Sequence, residues 1–123
     1  MSDSDHVEGR LPLTPAVFHM LLALSDGERH GYGIMREIAA RTHGKLRMGP
    51  GTLYGTIKRM LGDGLIEESG ERPDPEMDDQ RRRYYRLTPV GRRVAEAEAR
   101  RLETLVRDAR AKRLLPEPTT GGV

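Results

Sequence analysis

Apolar residues recur along most of this chain at helical spacing and alternate with polar ones over only two short stretches. Thr14-Pro15 supplies a capping hydroxyl followed by proline at the first helical position, a helix start. The helix predicted over 15–24 carries Val17, Met20, Leu21 and Leu24 on one stripe and Phe18 and Leu22 on another. A helix apolar on two sides needs cover on two sides, and a second subunit is the natural cover for Phe18 and Leu22. Ser25-Asp26-Gly27 ends this helix. A second is predicted over 32–42, with Ile34, Ile38 and Ala39 inward and His43-Gly44 closing it. Gly49-Pro50 starts a third over 50–63, which Gly64 stops. On a wheel of about 100° per residue, Leu53, Ile57, Met60 and Leu61 form its inner arc. Gly51, Gly55, Gly62, Lys58 and Arg59 fall opposite.

Residues 65–69 and 83–87 read as two strands, Tyr85 and Leu87 sharing a face, with 70–82 a long mobile loop at the tip. Thr88-Pro89 repeats the earlier helix start and opens a helix to about 115, where Pro116 ends it. Within it Ala95, Ala99, Leu102, Val106 and Ala109 recur at alternating intervals of four and three, a seam for another helix. A helix of that length cannot lie wholly on so small a core, so it is expected to project and pair with its counterpart. The fold class is therefore mainly α with a small β-hairpin: a winged helix-turn-helix plus a long C-terminal dimerisation helix. The boundaries are a disordered N-terminal tail (1–10), the winged helix-turn-helix (11–88), the dimerisation helix (89–115) and a disordered tail (116–123).

Charge sharpens this picture through its distribution rather than its net value of +2. Arg36, Arg41, Lys45, Arg47, Lys58 and Arg59 face only Glu37 in their stretch of chain. Arg81, Arg82, Arg83, Arg86, Arg92 and Arg93 have no acidic neighbour in sequence. Between these blocks lie Glu67, Glu68, Glu71, Asp74, Glu76, Asp78 and Asp79. Two basic blocks about an acidic one imply a polarised surface with one face suited to a polyanion. Gly55 agrees with this: mid-helix glycine costs about 1 kcal/mol against alanine, and an exposed one beside Lys58 and Arg59 suits close approach of a large partner.

Other classes find little support. No apolar run of membrane-spanning length occurs, and the first residues lack the order of a secretory signal, so a cytoplasmic location is expected. The chain has no cysteine, which excludes disulfides and thiolate metal sites. His6, His19, His30 and His43 form no i, i+4 pair of the kind that holds zinc on a helix, and His19 suits a packed or interfacial neutral role. No phosphate loop, activated nucleophile or paired catalytic carboxylate is present, so no catalytic residue, metal or cofactor is expected. A winged-helix protein–protein module and a metal-responsive regulator stand as the alternatives to DNA binding.

Four strings in order, His30-Gly31-Tyr32-Gly33-Ile34, Gly51-Thr52-Leu53-Tyr54, Asp63-Gly64-Leu65-Ile66 and Arg83-Tyr84-Tyr85-Arg86-Leu87-Thr88-Pro89-Val90-Gly91, make the chain resemble the PadR family of transcriptional regulators. The single C-terminal helix resembles the smaller PadR-like subgroup, in which that helix dimerises against the first helix of the partner. The resemblance implies a homodimeric repressor on a palindromic double-stranded operator, often relieved by a small aromatic or hydrophobic effector. It points to Tyr32, Thr52, Tyr54, Lys58 and Arg59 as DNA contacts. Arg81, Arg82 and Arg83 join them from the wing, and Arg86 can serve likewise. Two departures stand out: Gly55 replaces the proline that many relatives have after Gly-Thr-Leu-Tyr, and the chain has no tryptophan for a drug-binding pore.

Overall fold

The computed structural model describes residues 7–73 and 81–118, without the side chains of Pro73 and Arg81. Among the described residues the main elements run in the order α1 (Pro15–Leu24), β1 (Arg29–His30), α2 (Gly31–Arg41), α3 (Pro50–Gly62), β2 (Ile66–Pro73), β3 (Arg81–Leu87) and α4 (Pro89–Ala111). The sheet has the order β1-β3-β2 and is antiparallel throughout.

The capping residues act where the sequence places them. The Thr14 hydroxyl accepts the Val17 N–H at 3.3 Å, and the Thr88 hydroxyl accepts the Gly91 N–H at 2.9 Å. Gly44 and Gly64, at φ +76° and +74°, take the left-handed turn that releases the chain from α2 and α3. The Gly44 N–H reaches back to the Ala39 carbonyl, and Leu65 N–H to that of Met60.

α1 is the pillar of the core. Its Met20, Leu21, Ala23 and Leu24 are buried against Ile34 and Ile38 of α2, Leu53, Ile57 and Met60 of α3, Leu65, Ile66 and Tyr85 of the hairpin, and Val94 of α4. The start of α4 crosses this layer at contact distance. A Cβ on Gly91 would lie 1.9 Å from the Leu65 carbonyl oxygen, so only glycine lets the helix begin there.

Several expectations need correction. Residues 7–10 are not a loose tail: Val7 is buried in the core, and its carbonyl accepts the Arg10 N–H in a short turn. Residues 1–6 lie outside those described. On α3, Leu61 is 37% exposed and Thr56, 1% exposed, takes the inner position. Thr56 can do so because its hydroxyl donates to the Thr52 carbonyl at 2.7 Å, leaving no unsatisfied group. The hairpin is longer than its apolar pattern: β2 reaches Pro73 and β3 begins at Arg81, within the stretch expected to be loop, and the rest of that stretch, 74–80, lies outside the described residues. α4 ends at Ala111, before 115.

The N-terminal segment is tied to α4 by a buried ion. Glu98, 2% exposed, accepts the Leu13 N–H at 2.8 Å and is bonded by the Arg101 guanidinium. Arg101 chiefly, with the Leu13 amide, holds the carboxyl below its ordinary range against the opposing cost of burial. A depressed carboxylate stabilises the fold above its unfolded pKa and loses that contribution as pH falls through the folded one. Glu98→Gln is therefore expected to lower stability at neutral pH by about 1–3 kcal/mol. Urea titrations from roughly pH 6 down to pH 3 should show a flatter pH dependence for the variant than for the wild type. Parallel curves would contradict this assignment.

Candidate nucleic-acid interface

Helix α3 buries Leu53, Thr56, Ile57 and Met60 and turns the rest of its circumference outward. Gly51, Thr52, Tyr54, Gly55, Lys58, Arg59 and Gly62 are all exposed. A Cβ built on Gly51, Gly55 or Gly62 would meet nothing within 4 Å. No internal packing therefore calls for glycine at those sites, and the face is a shallow track with cations along it. Lys58 makes no ion pair with another described residue. Among the described residues Arg59 reaches only to the Thr56 hydroxyl, at 3.3 Å.

Helix α2 stands beside this face through one close contact. The Tyr54 ring lies over Gly31, where a Cβ would come within 2.8 Å of the Tyr54 hydroxyl. Tyr54 is thus exposed on one edge and packed on the other. His30, to which the pattern of residues assigns no role, caps α2: its Nδ1 accepts the Gly33 N–H at 3.0 Å. Its backbone pairs with Tyr84 in the sheet. The same residue therefore starts α2 and fixes it to the wing. The spacing His-Gly-Tyr-Gly held the signal, since a residue with an acceptor three positions ahead of an amide is a capping geometry.

Rings and guanidinium groups fill the corner between α2 and the wing. His30 stacks near Tyr32, centroids 6.5 Å apart, and meets Tyr84 edge-on at 5.3 Å. Arg36 and Arg82 both lie over the Tyr32 ring, at 5.7 and 5.5 Å from its centroid. The structure thus brings Tyr32 and Arg82 together and adds Arg36, which along the chain shows only as one charge of the first basic block. Arg83 is exposed, and the side chain of Arg81 lies outside the described residues.

The hairpin corrects the idea of separate charge blocks. Its register sets Glu67 opposite Arg86, and their side chains pair at 2.9 Å; Glu68 approaches Arg83 at 3.9 Å. The acidic block thus partly neutralises the second basic one, and Arg86 is engaged within the wing. At the wing's edge Glu28 accepts from Arg72 and from the Ser69 hydroxyl at 2.6 Å. Arg72 first, then Ser69, holds the Glu28 carboxyl down at about 2, so it stays ionised at any ordinary pH.

α4 leaves the core early. Its buried residues are Gly91, Val94 and Glu98, and none from Ala99 to Ala111 is buried. Among the seam residues, Ala95 packs partly on its own core, Leu102 and Ala109 are half-buried, and Ala99 and Val106 are exposed. Phe18 and Leu22 are half-buried on α1. His19 meets Arg41 at 3.0 Å. Among the described residues no three of His, Cys, Asp and Glu come together to hold a metal ion, and no helix is long and apolar enough to cross a membrane.

Comparison with known proteins adds an independent line. Residues 20–97 match the model of the Transcriptional regulator PadR-like family. The transcriptional regulator Rv3488 of Mycobacterium tuberculosis is 40% identical over 90 residues, spanning 73% of this chain and 78% of that one. A transcriptional regulator from Clostridium thermocellum shares the fold with a TM-score of 0.64 at 24% identity, covering 90% of this chain and 99% of that one. Bacillus subtilis PadR, solved in complex with operator DNA, aligns at a TM-score of 0.60 and 19% identity over 70% of this chain and 47% of that one.

Because Gly55 has open space outside it, Gly55→Ala should raise folding stability by about 0.5–1 kcal/mol, the helix-propensity difference. Chemical denaturation measures this, and a destabilised variant would mean that glycine serves the fold.

Proposed function

The chain belongs to the PadR-like family and is a DNA-binding transcriptional regulator rather than an enzyme; on that premise we propose that it is a homodimeric repressor whose α3 helices enter successive major grooves of a palindromic operator. One observation carries this reading. The only outward arc α3 can present is glycine-lined and cationic, with Thr52 and Tyr54 toward its start and Lys58 and Arg59 further along.

Roles follow from chemistry and position. Thr52, in the first turn of α3, reaches a base edge or a phosphate. Lys58 and Arg59 grip the backbone or read guanine acceptors. The glycines let the groove wall come close. Tyr32, at the start of α2, offers its hydroxyl to phosphate beside helix amides, and Arg36 adds a cation there. Arg82 and Arg83 of the wing, with Arg81 in the same strand, reach the flanking minor groove or phosphates. The operator complex of Bacillus subtilis PadR supports the docking mode by likeness of fold.

Dimerisation is assigned to the projecting half of α4. Ala99, Leu102, Val106 and Ala109, with Ala95 at the near end, would pack on Phe18 and Leu22 of a second copy. Exposed apolar surface on Leu105 adds to the same helix, and Leu115 adds more just beyond its end. An aromatic or hydrophobic effector would act by changing the spacing of the two reading helices.

Gel-shift titration with DNA from upstream of the protein's own gene, at several ionic strengths, tests the first claim. Lys58→Ala with Arg59→Ala should weaken binding about tenfold or more and flatten its salt dependence, since each phosphate contact adds roughly 0.9 to the slope. Affinity equal to wild type would move the interface elsewhere. For the second claim, Leu102→Asp should shift the light-scattering mass from dimer toward monomer at micromolar concentration. A variant that stays dimeric and binds normally would show the seam to be misplaced.

A further inference from the structure

Glu28 lies outside every element that meets DNA in the reading above, yet it is the tie between the two edges of the sheet. It directly precedes β1, while its partners Ser69 and Arg72 belong to β2, with β3 between them. One carboxylate oxygen accepts from Arg72 and the other from Ser69. The tie falls at the weak point of the wing. The β2–β3 register slips between Glu68 and Gly70, and Gly70 adopts φ +144°. A bulge bends a strand and interrupts its ladder, so the outer wing is free to pivot there unless something else fixes it.

The Arg72 guanidinium sits 4.1 Å from the Tyr84 ring centroid. Tyr84 meets His30 edge-on, and His30 stacks toward Tyr32, which carries Arg36 and Arg82. A continuous run of contacts therefore leads from Glu28 to the wing and α2 cations.

We propose that Glu28 is a positioning residue for DNA binding: it straps β2 at the bulge and so sets the angle at which the wing arginines meet the duplex. The inference rests on the wing reading given above. It makes a prediction of unusual sign. Removing a carboxylate near a polyanion should strengthen binding on Coulomb grounds alone, whereas loss of the strap weakens it.

Fluorescence anisotropy with the same upstream duplex, over a salt series, decides between them. Glu28→Ala is expected to bind about three- to tenfold more weakly, with a salt slope shallower by about one phosphate contact. Its Tm should stay near wild type, since exposed pairs contribute little stability. Glu28→Gln, which keeps an acceptor at the same reach, should recover much of the affinity. Equal or tighter binding by Glu28→Ala overturns the proposal, as does a loss that tracks a lowered Tm and is not recovered by Gln. Wild-type protein without salt-sensitive binding refutes the underlying reading and this inference with it. Wild-type binding with an unaltered Glu28→Ala variant refutes the strap alone.

Discussion

A helix on the surface of a small domain can bury one arc only, and α3 has no freedom in which arc that is. Leu53, Ile57 and Met60 are locked into the core around α1 with Thr56 buried beside them, and that choice commits Gly51, Gly55, Lys58 and Gly62 to solvent. Turning the helix by one residue's angle would expose leucine and methionine at a cost of about 1.5–3 kcal/mol each. The outward face of α3 is therefore fixed by the hydrophobic effect acting on the opposite side, and the proposed reading of DNA uses what burial leaves over.

The elements around α3 are joined at their ends rather than along their lengths. Gly31 admits the Tyr54 ring and so brings α2 onto α3, while His30 caps α2 and pairs with β3. Gly91 lets α4 start against the Leu65 carbonyl, just after α3 has ended. Each close approach uses a residue without a side chain or one that serves two elements. Such joints leave little slack between α3 and the wing, and they leave the far half of α4 clear of the core. That free half is what the proposed pairing of two copies requires.

Much of this was legible in the sequence because caps and glycines act locally. The two Thr-Pro starts, the Gly44 and Gly64 stops and the inner residues of α3 follow from patterns a few residues long. Features set at long range were not legible. β1 has two residues, too few for any period, and exists because Arg29 and His30 pair with Tyr85 and Tyr84. Val7 is one apolar residue in a polar run, and only the tertiary groove beside α4 makes it core. Thr56 and Leu61 flank the inner arc at about 60° and 80° on opposite sides, so the tilt of α3 on α1 decides between them. The pairing of Glu67 with Arg86 depends on a register broken by the bulge, which charge counting along the chain cannot reveal. Glu98 looks like any exposed helical carboxylate until the Leu13 amide is brought to it.

The central claim is geometric: two copies present their glycine-lined helices one turn of duplex apart. Because the chain has no cysteine, Gly55→Cys supplies a single labelling site per copy, in open space on that face. Pulsed electron-spin distance measurement on the labelled protein, free of DNA, should give one population centred at about 34–36 Å, the pitch of the double helix. A sample without dipolar coupling, or a distance that no single stretch of duplex can bridge, would contradict it.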